Sequence, residues 1–276
     1  MLIGLAVASR GFRVDSDYVA RLANSAGVEL TDATRPVVRR YLAWSRRSRT
    51  AGGLTGFLAP VFYARVTTGE SDPGIWAVTL MLVGYLLGAI FAEIVGSRSW
   101  RRLGTELAGG QRLNDYLPAY VLVLQRGLAL LIGLLVVAYA LLEPHTQLSV
   151  PPPTLIATFG LAGICLAALV EAMQRKIIAR RNPVTSPSDP PVEDALKSSS
   201  VHVLAGAGVA LLLNVVGPLV LALLALTGNV GPGVGLGLIF ILFPLSIFFW
   251  LDLGRPQGFR VRRRGQDGVL EKGAGQ

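Results

Sequence analysis

Long apolar runs separated by short polar segments are the dominant pattern along this chain. Five runs are nearly free of charge and about 18 residues or longer, at 75–95, 117–142, 155–173, 201–226 and 234–251. A helix rising about 1.5 Å per residue needs about this length to cross a hydrocarbon layer of ~30 Å. A weaker run at 54–66 reaches about 16 residues when it is extended back to Ala51. The pattern predicts an all-α polytopic transmembrane bundle.

The placement of basic residues predicts how the bundle is oriented. Of the 26 Lys and Arg residues, all but Arg65 and Arg126 lie in the polar segments 1–50, 96–116, 174–200 and 252–276. Positively charged loops stay on the cytoplasmic side of a membrane. The weak run must then cross as well, because the basic N-terminal segment would otherwise lie outside. We therefore predict about six spans in three hairpins, with both termini cytoplasmic.

This topology divides the chain into three parts. Residues 1–50 form a cytoplasmic segment, 51–252 form the six-span membrane domain, and 253–276 form a basic cytoplasmic tail. The proportion of charged residues, 16%, is below the roughly 25% of ordinary soluble domains. The net charge of +9 would suggest nucleic-acid binding in a soluble protein. Here topology explains the charge, and no nucleic-acid partner is predicted.

The segment before the first span has the pattern of a basic amphipathic helix. Its apolar stripe is Val38, Tyr41, Leu42 and Ser45, and its basic residues include Arg39, Arg40, Arg46 and Arg47. Such a helix lies at anionic lipid headgroups. We therefore predict that these four arginines contact the lipid bilayer.

Four polar residues inside or at the ends of spans are candidates for an intramembrane network. Arg126 lies about 12 Å into the third run, where a charge normally faces a partner or water. Glu93 and Glu171, near the ends of the second and fourth runs, are candidate partners. Asn214 precedes Pro218, which removes a helical hydrogen bond from the fifth span, and broken helices can mark transporter sites. The pattern allows either a structural ion pair or a relay for an ion or substrate.

Small residues recur every four positions along the second span, at Gly84, Gly88, Ala92 and Gly96. Such a stripe allows another helix to approach closely. The spacing alone leaves open whether that helix belongs to the same chain or to a partner subunit.

Enzymatic constellations are missing from the sequence. The two histidines, His145 and His202, fall on opposite sides of the membrane in this topology, and no cluster has the ligand spacing of a metal site. Motifs for a serine nucleophile or for ATP binding are also missing. We predict that the protein is not an enzyme and binds no cofactor or metal.

Several polar flanks resemble uncharacterised multi-pass membrane proteins of actinobacteria. The matching segments are 30–41 (LTDATRPVVRRY), 115–118 (DYLP), 194–202 (DALKSSSVH) and 205–208 (AGAG). The resemblance implies a bacterial plasma-membrane location. It carries no known activity, so no functional residue is transferred from it.

Two functions remain open at this point. The first is a non-catalytic subunit or accessory protein of a membrane assembly, whose partner is another membrane protein or a second copy of this chain. The second is a small-solute or ion transporter that uses Arg126, Glu93, Glu171 and the broken fifth span.

Overall fold

A computed structural model describes residues 19–20, 23–24, 30–32, 34–67, 74–99, 113–142, 151–179, 190–226 and 232–254. Within these ranges lie six α-helices of more than 20 residues, one short 3₁₀ turn and no strand. The helices are α1 (Arg35–Thr67), α2 (Gly74–Ser99), α3 (Ala119–Leu142), α4 (Pro153–Ile178), α5 (Pro190–Ala225) and α6 (Pro232–Leu253), and the 3₁₀ turn is Leu113–Asp115. The predicted all-α class is confirmed for the described residues.

Three segments are long and apolar enough to cross a membrane by length and composition: Ala119–Leu142, Pro153–Ile178 and Ala195–Ala225. Two shorter apolar helical stretches, Thr79–Val95 and Phe240–Leu253, lie in α2 and α6. The described residues thus have the helices of a membrane protein.

The first element is a single helix of 33 residues, which joins the predicted amphipathic helix before residue 51 to the weak apolar run that follows it. It begins after a local cap in which the hydroxyl and backbone groups of Thr31 and Thr34 bond to each other. The predicted stripe faces inward, with Val38, Leu42 and Ser45 buried. The helix therefore continues from its polar start into its apolar half without a break.

Consecutive helices pack as antiparallel hairpins. In the first hairpin, Trp44 contacts Ala92 and Gly52 faces Gly84. In the second, Arg126 pairs with Glu171. The third hairpin is shown by a bond between Asn214 of α5 and Ser246 of α6. Because Tyr41 bonds to Ser200 and Gly208 faces Gln125, the starts of α1, α3 and α5 share one end of the bundle with the ends of α2, α4 and α6. We call it the arginine-rich end.

Helix α5 is the centre of the bundle. It packs against α2, α3, α4 and α6, and 61% of its most apolar window is buried, against 22% for α3 and for α4. A helix that is apolar on every side is typically buried. Gly206 and Gly208 bring neighbours close, since a Cβ at Gly206 would meet the backbone of Gly254 and one at Gly208 would meet Gln125 and Val170.

Candidate functional site: a buried polar cluster and an outward-facing ion pair

The four candidate polar residues lie in three separate places. Arg126 and Glu171 are paired between α3 and α4. Glu93 lies in a different cluster between α1, α2 and α5. Asn214 bonds to the α6 side chain of Ser246. The structure therefore brings together only the first two, and Glu93 is not a partner of Arg126.

The Arg126 ion pair lies on the outer surface of the bundle. Its Nη2 donates to Glu171 Oε1 at 2.6 Å and its Nε donates to Oε2 at 3.2 Å. Arg175, one turn after Glu171 on α4, donates to the same Oε1 at 2.5 Å. The side chains of Arg126 and Arg175 are 60% and 64% exposed. We call these three residues the outward triad; two guanidinium groups share one carboxylate, so its net charge is positive.

A second cluster is buried at the arginine-rich end. Tyr41 of α1 donates its hydroxyl to Glu93 Oε1 on α2 at 2.8 Å. The same hydroxyl is 2.6 Å from Ser200 Oγ on α5. Glu93 is only 4% exposed. These three residues, here called the Tyr41 cluster, join α1 and α2 to the central helix through one phenol oxygen.

Arg49 of α1 is a cation whose charge acts on this cluster. It donates to Ser45 Oγ at 2.7 Å, and its guanidinium lies 5.4 Å from the ring centroid of Trp250 on α6. An arginine over an indole face gains a cation–π attraction. Burial and the Glu93 carboxylate raise the pKa of the Tyr41 phenol well above its ordinary value, while Arg49 opposes this shift. The phenol therefore stays protonated and acts as the donor to Glu93.

Helix α5 passes Pro218 as one continuous helix from Pro190 to Ala225. Asn214 Nδ2 donates to the carbonyl oxygen of Ala210 at 2.8 Å and to Ser246 Oγ at 3.1 Å. The Asn214 side chain thus contributes to the contact between α5 and α6. It lies in a continuous helix, not at a break in the backbone.

Buried polar residues at the arginine-rich end were missed by the sequence reasoning. Lys197, the serines 198–200 and His202 are buried on α5, and His202 Nδ1 lies 3.1 Å from the carbonyl oxygen of Leu253. Gln125 and Gln174 are buried on α3 and α4, and Gln174 is 0% exposed. Neither amide atom of Gln174 has a hydrogen-bond partner among the described residues. A polar position inside the apolar run 117–142 was the signal that could have found Gln125, whereas Gln174 begins the polar segment 174–200 and gave no such signal.

The small-residue stripe of α2 packs within the chain. Cβ atoms added at Gly84 and Gly88 would overlap the backbone of α1 at Gly52 and Ser48. Ala92 is buried, and its carbonyl oxygen accepts a bond from Trp44 Nε1 at 3.2 Å. The surroundings of Gly96 lie outside the described residues. The helix that packs against Gly84, Gly88 and Ala92 is therefore α1 of the same chain, and not a helix of a partner subunit.

The four arginines predicted to meet lipid differ in exposure. Arg39, Arg40 and Arg47 are exposed on α1, and Arg46 is half-buried. Three of the four are thus available to headgroups, and contact with lipid stays a prediction.

Within the described ranges, no three His, Cys, Asp or Glu side chains are placed to hold a metal ion. Cys165 is an exposed free thiol on α4.

Comparison with known proteins finds no relative of this chain. No family model matches it, and no curated protein and no solved structure matches it.

Proposed function

We propose that this protein is a non-catalytic subunit of a bacterial plasma-membrane assembly, and that a partner helix packs against the outward face of α3 and α4. The single observation that carries the proposal is the outward triad of Arg126, Glu171 and Arg175. Charged side chains within membrane spans normally face the bundle interior or a water-filled cavity. Here Arg126, about 12 Å into the third run, is mostly exposed on the outside, and Arg175, just beyond the fourth run, is exposed beside it.

The surface around the triad also favours a membrane partner. On both sides of Arg126 the outer face of α3 is apolar, with Val123, Leu130 and Leu141 all exposed. A transmembrane helix with an apolar face and an acidic or amide side chain at triad depth would complement it. Interhelical polar contacts of this kind hold membrane helices together.

The proposal includes six spans with cytoplasmic termini. The pairs Trp44–Ala92, Gly52–Gly84 and Gly56–Leu80 define the α1–α2 register. A bilayer covering α2 from its start at Gly74 to Ala92 then covers α1 from about Trp44 to Tyr63, about 30 Å of helix. This replaces the expected first span at 51–66. It also puts an aromatic residue at each interface, as is usual for membrane helices.

The transport alternative has less support. Its proposed relay requires Arg126 and Glu93 to line the same pathway. Arg126 instead faces outward, and Glu93 is buried within the Tyr41 cluster. It also needs a broken fifth span, and α5 is continuous through Pro218.

The test is purification from native expression levels in mild detergent, followed by native mass spectrometry. Wild type is compared with Arg126→Gln, which removes one guanidinium of the outward triad, and with Arg40→Gln, which removes an exposed guanidinium from α1. We expect a stoichiometric second protein or second copy with wild type and Arg40→Gln. Loss of a contact to an interfacial charge weakens such complexes about tenfold or more, so Arg126→Gln should be recovered largely alone.

Two results would overturn the proposal. The first is a wild-type protein recovered as a monomer that transports a solute when reconstituted in vesicles. The second is a partner that stays bound to Arg126→Gln at the wild-type ratio, which would make the triad a purely structural ion pair.

A further inference from the structure

An open groove runs along the outer side of the α1–α2 hairpin. Its volume is about 710 Å³. Glycines 52, 56, 84 and 88 form its floor, and its walls and rim include Trp44, Arg47, Ala51, Thr55, Leu87 and Phe91. The groove is apolar over most of its length and carries a charged residue near one end only.

The floor of the groove is narrow because α1 and α2 touch at their backbones. A Cβ at Gly52 or Gly56 would overlap carbonyl oxygens of α2, so these glycines are already used in packing. From Trp44 to Ala59 the groove is about 22 Å long. Its apolar lining and its narrow floor between touching backbones suit a slender hydrocarbon chain.

The rim has the chemistry of a headgroup site. Arg47 is exposed and has no ion-pair partner among the residues the structure describes. Trp44 lies one turn away and is held by its bond to the Ala92 carbonyl. Indole rings sit at the level of lipid headgroups, and a guanidinium suits a phosphate through paired N–H donors.

The length of the groove agrees with one lipid leaflet. Half of a ~30 Å hydrocarbon core is about 15 Å, so an acyl chain that starts at the level of Trp44 ends within the groove. The stem of Arg47 is long enough to bring its guanidinium to that level, because helical side chains tilt toward the helix N-terminus. The exposed side chains of Leu80, Leu87 and Phe91 border the apolar part.

We propose that this groove binds one anionic phospholipid, with its phosphate on Arg47 and an acyl chain lying over the glycine floor between α1 and α2. The lipid belongs to the leaflet at the arginine-rich end. This site is on a different hairpin from the outward triad and does not depend on a protein partner.

The headgroup part of the proposal is tested in nanodiscs that contain equal amounts of phosphatidylglycerol and phosphatidylcholine with identical acyl chains. Native mass spectrometry counts the lipids of each class that stay bound after release. We expect wild type to retain phosphatidylglycerol preferentially. Arg47→Gln should lower that preference about fivefold, the effect of one basic residue at an anionic surface. Arg65→Gln, which removes the same charge at the other end of α1, should leave the preference unchanged.

The acyl-chain part is tested by filling the groove. Ala51→Leu places an isobutyl group on the exposed groove wall and should reduce the retained lipids by one. Ala157→Leu makes the same change at an exposed position of α4 and should leave the number unchanged. Thr55→Leu is the second filling variant if Ala51→Leu lowers the helix content.

Equal retention of the two lipid classes by wild type would overturn the proposal. So would an unchanged lipid number in the folded filling variants, or a protein segment found in the groove in place of lipid. These outcomes are separate from the loss of a partner in Arg126→Gln, so the two proposals fail independently.

Discussion

Glu93 and Arg126 are charged residues near the ends of apolar runs, yet their surroundings are opposite. Glu93 is 4% exposed, whereas the Arg126 side chain is 60% exposed. On α3 the preceding residue, Gln125, faces Gly208 of α5. One residue further turns the side chain by about 100°, so Arg126 points away from the centre. The sequence shows where both charged residues lie along the chain, but the rotation of each helix about its axis determines which residues their side chains contact.

The Tyr41 cluster leads to a prediction at this scale. Tyr41→Phe removes the hydroxyl that bonds Glu93 and Ser200 and leaves a buried acceptor without its donor. Such a loss costs about 1–3 kcal/mol in the free energy of unfolding. We expect that decrease in a denaturant titration in mild detergent. Tyr120→Phe, at an exposed position of α3, is the control. Equal stability of wild type and Tyr41→Phe would show that the cluster does not stabilise the bundle.

At the scale of elements, α1 and α2 form the most closely packed pair. The apolar run of α1 is weak, and the sequence suggested a short span at 51–66. The structure shows a longer helix that continues through this region against the glycines of α2. The signal was present, because Gly52 and Gly56 are four residues apart like Gly84 and Gly88. Predicting that the two stripes pack against each other requires the antiparallel register of α1 and α2. The spacing of residues along one helix does not give that register.

Backbone contact between α1 and α2 predicts a strong difference between two glycine substitutions. Gly84→Ala places a methyl group against the carbonyl oxygen of Gly52, so the helices must separate. Gly127→Ala places the same group in open space on α3. We expect Gly84→Ala to lower the unfolding temperature in detergent and Gly127→Ala to leave it unchanged or raise it slightly, since alanine stabilises a helix by about 0.5–1 kcal/mol over glycine. Similar unfolding temperatures for the two variants would contradict backbone contact at Gly84.

At the scale of the whole molecule, the bundle consists of three antiparallel hairpins. The buried helix α5 belongs to the third hairpin, and helices of the other two pack against it. Polar residues collect at the arginine-rich end, where α5 carries Lys197, three serines and His202. The distribution of basic residues in the sequence predicts that this end is cytoplasmic. The outward triad lies toward this end on α3 and α4, and the α1–α2 groove begins at this end with Trp44 and Arg47.

The proposed topology predicts the outcome of reporter insertions at residues 70, 148 and 230. Each position lies between the two helices of a hairpin, so a reporter placed there should be active outside the cytoplasmic membrane. Insertions in segments 100–112 and 181–189 should report cytoplasmic. A cytoplasmic signal at residue 70 would mean that α1 does not cross, and the six-span topology would then be wrong.

The sequence by itself determined the helical class, the apolar lengths and the one-sided placement of basic residues, because these depend on composition and on spacing along one segment. It also located Arg126, Glu171 and the Gly84–Gly88 stripe as positions of interest. Only the tertiary structure decided that Glu93 bonds Tyr41, that Arg126 faces outward and that the α2 stripe is covered by α1. These outcomes depend on the rotation and register of packed helices. Contacts between residues far apart in the chain set that rotation and register, and periodicity along one segment does not record them.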